Sequence, residues 1–193
     1  MVRTGKRLTL EEFLRLPEQE PPLEYFKGRI TPKPMPQGQH GRLQIKLGAL
    51  IDAYAEPRQL ALTFTELRSS YDDASRVPDI AVYRWDRVGL LPDGRVPNQF
   101  TTPPDLAIEI LSPEQRLSDL RAKCRWYVTS GSDLVLLVNP ENESVERFSA
   151  DGAEATLRGA DTIDFAPVLP GLTLTVDAVF ALLRPAARAK PPG

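Results

Sequence analysis

Residues 105–138, DLAIEILSPEQRLSDLRAKCRWYVTSGSDLVLLV, decide the fold. The segments Asp105 to Leu111 and Leu134 to Val138 are short runs rich in branched apolar residues, the signature of buried strands. Between them Leu120, Lys123, Cys124 and Tyr127 recur at i, i+3, i+4 and i+7, which predicts a helix over about Ser118 to Ser130. Strand, helix, strand is a crossover unit and implies parallel pairing of the two strands.

Upstream, three more segments read as strands: Leu60 to Glu66, Leu67 to Tyr71 and Val77 to Tyr83. Before them Leu43, Leu47, Leu50, Ile51 and Tyr54 form one apolar stripe on a helix from about His40 to Ala55, and that helix must cover a sheet. Leu23 to Ile30 reads as two short strands around the turn dipeptide Lys27-Gly28. Thr9-Leu10-Glu11-Glu12 is a capping-box pattern opening a short helix that stops before Pro17. Downstream, short strands precede a final helix around Asp177 to Leu183. The fold class is therefore α/β, a mixed sheet flanked by helices.

The chain has 193 residues, 41% of them hydrophobic, which is enough for one compact domain. We assign that domain to residues 1–184 and expect the Pro/Ala/basic tail, 185–193, to be disordered. No run approaches a membrane span and no apolar signal core opens the chain, so a soluble, cytoplasmic protein is expected. The single cysteine, Cys124, excludes an internal disulfide and a thiolate metal cluster, and fits a reducing compartment. A net charge of −2 means that any nucleic-acid contact must use a local basic surface.

Two expected strands each carry one acid in an apolar setting: Asp79 in VPDIAVYR and Glu109 in DLAIEIL. A buried carboxylate loses hydration and costs several kcal/mol unless a cation or strong hydrogen bonds replace the water. If the two strands are neighbours, both acids converge within reach of one divalent ion, and oxygen ligands of this kind suit magnesium or manganese rather than zinc. A structural pair with an arginine would satisfy the same residues. Lys123 lies on the inward stripe of its helix, where its ammonium could reach the two acids and offset charge on a phosphate; an i, i+4 surface pair with Asp119 is the plainer use of it. Glu24 could extend the acidic cluster or sit solvated at a loop end. Cys124 belongs to the packed face rather than to a nucleophilic site. Trp126 and Tyr127 are more readily packing residues than a base-stacking platform. There is no G-x-S-x-G elbow, phosphate-binding glycine loop or dinucleotide fingerprint.

The ordered set Glu24-Tyr25-Phe26-Lys27-Gly28, His40, Pro78-Asp79, Glu109-Ile110-Leu111-Ser112-Pro113, Asp119, Lys123, Tyr127 and Pro170-Gly171-Leu172 resembles the Uma-two family of putative restriction endonucleases, within the PD-(D/E)XK nuclease superfamily. The resemblance runs from about Leu8 to Leu183. It implies a restriction-endonuclease-like fold with a central four-stranded mixed sheet between helices. It also implies Asp79, Glu109 and the Ile110 carbonyl as metal ligands, Lys123 as the catalytic lysine and Glu24 as an auxiliary acid. In the superfamily the lysine normally lies two residues after the second acid, where this chain has Leu111; Lys123 resembles a variant in which it has migrated to the following helix. The function so implied is magnesium- or manganese-dependent hydrolysis of DNA phosphodiesters, with a homodimer as one arrangement for cutting two strands. A catalytically silent nuclease-fold module that binds nucleic acid or protein is the alternative.

Overall fold

The computed structural model describes residues 7–185. Thr9 opens α1, Leu10–Leu14, through the expected reciprocal capping box: its hydroxyl accepts from the Glu12 N–H, and the Glu12 carboxylate accepts from the Thr9 N–H. Strands β1, Leu23–Phe26, and β2, Arg29–Pro32, form a hairpin whose two turn residues, Lys27 and Gly28, both have positive φ. Helix α2 spans Gly38–Ala55 and β3 spans Ala61–Thr65.

The expected strands Leu67 to Tyr71 and Val77 to Tyr83 need correction. The chain instead makes a tight hairpin, β4 (Ser69–Tyr71) and β5 (Ala74–Arg76), then breaks and starts again as β6, Ile80–Arg84. Asp72 and Asp73 both adopt φ near 50° in the hairpin turn, where no glycine announces it. Pro78 lacks the N–H that a continuous inner strand would need, so the strand ends before it. As a result β5 belongs to one sheet and β6 to another, and Asp79 lies at the joint between them.

The remaining elements are β7 (Leu106–Ile110), α3 (Leu117–Thr129), β8 (Leu134–Asn139), β9 (Ser144–Ser149) and β10 (Glu154–Arg158). They are followed by β11 (Thr162–Asp164), β12 (Thr173–Thr175) and α4 (Val176–Ala181). The main sheet has six strands rather than four, in the order β10-β9-β8-β7-β6-β3, because β9 and β10 add an antiparallel hairpin beside β8. It is mixed: β7 and β8 pair in parallel across the α3 crossover, and the other pairs are antiparallel. A smaller sheet runs β2-β1-β5-β4, and β11 pairs with β12.

Strand alternation then builds two different faces. Ile80, Val82, Leu106, Ile108 and Ile110 pack with Leu43, Leu47 and Ile51 of α2 and with Val179 and Phe180 of α4. Ala107, Val135 and Leu137 point the other way, against Leu120, Cys124 and Tyr127 of α3. Burying each large apolar side chain in this way stabilises the fold by roughly 1.5–3 kcal/mol. Pro170-Gly171-Leu172 fixes the approach to β12. Tyr54 Oη donates to the Pro170 carbonyl at 2.8 Å, and a Cβ on Gly171, whose φ is +84°, would stand 2.9 Å from that hydroxyl. No helix among the described residues is long and apolar enough to cross a membrane. The tail expectation for 185–193 falls, from residue 186 onward, outside the described residues.

Candidate active site

The antiparallel register of β6 and β7 pairs Ile80 with Ile108, so continuing it by one residue sets Asp79 opposite Glu109. Both side chains are buried, at 2% exposure each. Asp79 is tied to the end of the inner strand β7 by one oxygen, Oδ2, which accepts from the Ile110 N–H at 2.7 Å. The other, Oδ1, faces the Lys33 ammonium at 2.8 Å and His40 Nε2 at 3.2 Å. Lys33 follows β2 directly and also reaches Glu66 Oε2 at 2.5 Å. On α2, Gln44 donates through Nε2 to Glu66 Oε1 at 2.6 Å and to the Asp79 carbonyl at 3.0 Å.

Glu109 is held by α3. Lys123 Nζ lies 2.8 Å from Glu109 Oε1 and 2.6 Å from Glu24 Oε1, so one ammonium bridges the two sheets. Tyr127, one turn further along, donates its hydroxyl to Glu109 Oε1 at 3.1 Å. Glu24 completes its set with Arg76 Nη1 at 3.0 Å and the Val77 N–H at 3.0 Å. The structure thus brings Asp79, Glu109, Lys123 and Glu24 into one cluster, and Lys123 turns to the acids instead of making the surface pair with Asp119. The described contact of Ile110 with this cluster is through its N–H, not its carbonyl.

Four carboxylates here face three fixed cations, and the pKa shifts follow from that imbalance. Burial alone would raise Asp79, but the Lys33 ammonium and His40 outweigh it and hold the carboxyl well below the usual range. Burial dominates at Glu109, where the nearby Asp79 charge adds to it against the Lys123 ammonium, and the carboxyl is pushed up to about 7. Burial would lower Lys123, yet Glu109 and Glu24 keep its ammonium charged well beyond the ordinary range. Two carboxylates on facing strands whose surroundings push their pKa values apart make this cluster a functional-site candidate.

A cleft of about 510 Å³ opens beside the cluster, lined among others by Glu24, Lys33, Arg76, Glu109 and Lys123, with Arg29 and Arg116 on its walls. The donor set fits a divalent ion: Glu66, Asp79 and His40 each offer a ligand atom within 4.8 Å of the others. Asp79 Oδ1 and His40 Nε2 are buried and face each other at 3.2 Å, with the Lys33 ammonium 2.8 Å from the same carboxylate oxygen. Cys124 is fully buried, and burial raises its thiol well above the ordinary value, so it is core. Trp126 stacks on Tyr71 at 5.2 Å and meets Phe26 edge-on, which is packing.

Sequence reasoning missed Lys33, Glu66 and Gln44 and gave His40 no role. Two of these carried a signal: His40 and Gln44 lie four residues apart on the same buried face of α2 as Leu43 and Leu47, and polar residues on such a face need partners. Lys33, inside Pro32-Lys33-Pro34, and Glu66, at a strand end, carried none.

A family model described as "Uma2: Putative restriction endonuclease" matches residues 10–177. The crystal structure of a "putative nuclease belonging to DUF820" from Anabaena variabilis is similar to this chain at a TM-score of 0.87 and 33% sequence identity, covering 91% of this chain and 99% of that one. No curated protein matches the chain.

Proposed function

Because the chain belongs to the Uma2 family of putative restriction endonucleases, we propose that it is a divalent-metal-dependent endonuclease that hydrolyses DNA phosphodiester bonds. The observation that carries this reading is the pair Asp79 and Glu109, buried on facing strands with the Lys123 ammonium 2.8 Å from the second acid, beside an open cleft.

In this reading Asp79 and Glu109 hold the ion, with the Ile110 carbonyl as a further ligand. Magnesium or manganese held there supplies a Lewis acid for the scissile phosphate and a lower pKa for a water molecule. Lys123 is the residue that offsets negative charge as it develops on the phosphate, and its charge is secured by the two acids it bridges. Glu24 and Arg76 fix the position of that ammonium from the smaller sheet, and the Tyr127 hydroxyl fixes Glu109. The expected products carry a 5′-phosphate and a 3′-hydroxyl. With one site per chain, cutting both strands takes two copies, so a homodimer belongs to the proposal, as does a cytoplasmic setting for the reduced, buried Cys124.

The test is cleavage of plasmid and of single-stranded DNA by the purified protein, with magnesium and with a chelator. Asp79→Ala/Glu109→Ala should lose metal-dependent cleavage by at least about a thousandfold; unchanged cleavage by that double variant refutes the assignment. One feature favours a second reading. Lys33 and Lys123 already compensate the acids without a metal, as a silent nucleic-acid- or protein-binding module would need. Metal binding with no cutting of any substrate would select that module.

A further inference from the structure

With a net charge of −2, the chain can hold a polyanion only on a local basic surface. The lysines at the seam do not form that surface, because Lys33 and Lys123 are each bonded to two carboxylates. The turn of the β1-β2 hairpin does. Arg7, Lys27 and Arg29 are all exposed there, and among the described residues none of the three side chains has an acidic partner or a hydrogen bond. Gly28 brings them together: its φ of +86° closes the turn, and a Cβ on it would stand only 3.2–3.3 Å from the Arg7 side chain. The neighbouring acids are turned elsewhere. Asp73, whose carbonyl accepts from the Lys27 N–H, holds the Tyr25 hydroxyl at 3.1 Å with its carboxylate, and Asp72 accepts from Ser130 Oγ at 2.9 Å.

This patch is continuous with the cleft. Arg29 lines the cleft from the edge strand of the smaller sheet, and so does Phe26, whose ring centre lies 5.5 Å from the Lys27 ammonium and 4.6 Å from the Arg76 guanidinium. Positive groups thus run from the turn, past Phe26 and the Arg76–Glu24 pair, to Lys123. The wall built by α3 differs, because Glu114 and Asp119 line it together with Arg116 and offset its charge. Charge that merely guards an edge strand would account for Arg29, but not for Arg7 and Lys27, which lie outside the strand.

Resting on the nuclease reading above, which makes DNA the partner, we propose that the β1-β2 hairpin holds the DNA backbone at one side of the cleft through Arg7, Lys27 and Arg29. The contacts are to phosphates, which position a duplex without reading its bases, so this part of the affinity is independent of sequence. A four-residue strand runs about 13 Å, and the phosphates of one DNA strand recur about every 3.4 Å along the duplex axis, so about four of them pass the hairpin.

The experiment follows binding of a fluorescent duplex of about 20 base pairs to the full chain by anisotropy, with a chelator so that nothing is cut, from about 50 to 200 mM salt. Affinity falls with salt on logarithmic axes, and each phosphate contact contributes about 0.9 to the slope. Arg7→Gln/Lys27→Gln/Arg29→Gln should lower the slope by about 2 to 3 and weaken binding at least about tenfold at the lowest salt, on duplexes of unrelated sequence alike. Arg29→Gln alone should lower it by about 1, and Arg29→Lys should keep it. Arg158→Gln, which removes the same charge from the edge strand β10 of the main sheet, should leave it unchanged. The replaced side chains are exposed, and circular dichroism checks that each variant is folded. A slope unchanged in the triple variant, or lowered as much by Arg158→Gln as by Arg29→Gln, overturns the surface. The two readings fail separately: hairpin-dependent binding with no cutting once magnesium is added sinks only the nuclease, and metal-dependent cutting with a salt slope indifferent to the hairpin sinks only this surface.

Discussion

Ile108 and Glu109 are neighbours on β7 and both are almost wholly buried, yet they are stabilised by opposite means. Ile108 points to the α2 side, where the apolar side chains of two helices and six strands exclude water and no ion pair is required. Glu109 points to the α3 side, where Lys123 and Tyr127 replace part of what water no longer supplies, and burial still pushes its carboxyl up to about 7. The difference teaches that burial has two costs in this molecule. On the α2 side a substitution removes packing and leaves the chemistry alone. At the seam it removes a partner, and the group left behind carries the penalty.

The sharpest way to break that contrast is Lys123→Met. It strands Glu109 and Glu24 in a buried setting, and loss of one member of a buried ion pair costs about 3–5 kcal/mol, to be read from denaturant unfolding without metal. Adding Glu24→Gln and Glu109→Gln should recover more than half of that loss; no recovery would mean that Lys123 stabilises by packing. A smaller effect is expected from protons. Glu109 titrates near 7 because burial raises it, so below that pH the incoming ion must displace a proton. Mg2+ affinity should therefore fall by about tenfold per pH unit below 7 and level off above it. Glu109→Gln should remove the slope along with most of the affinity, as calorimetry at several pH values would show.

Ile108→Val tests the other side. Trimming one methylene there should cost about 0.5–1.5 kcal/mol and leave metal affinity unchanged. The smallest effect belongs to the exposed pair Arg125–Glu154, 2.7 Å apart on the outside of α3. Arg125→Ala should change stability by about 1 kcal/mol or less in the same unfolding assay, and less still in high salt.

The legible parts of the sequence were those where periodicity and chemistry disagree in one place. Glu109 inside an apolar strand and Lys123 on an apolar helix stripe announced themselves, and the β7-α3-β8 unit around them followed from its spacing. The seam did not. Val77 to Tyr83 reads as one strand because alternation cannot show that Pro78 hands the chain from one sheet to the other. The Asp72-Asp73 turn was hidden because its positive φ values are borne by aspartates rather than by glycine. Lys33 and Glu66 meet only through tertiary contact across 33 positions, and no local pattern encodes such a meeting.

The central claim, that the buried acids of the seam are cation ligands held in waiting by lysines, is tested most directly by anomalous diffraction from a crystal soaked in Mn2+. The account predicts a manganese peak at coordination distance, about 2.0–2.6 Å, from the Asp79 and Glu109 carboxylates. Saturating Mn2+ that leaves no peak at either acid, with Lys33 and Lys123 still seated on them, would contradict it.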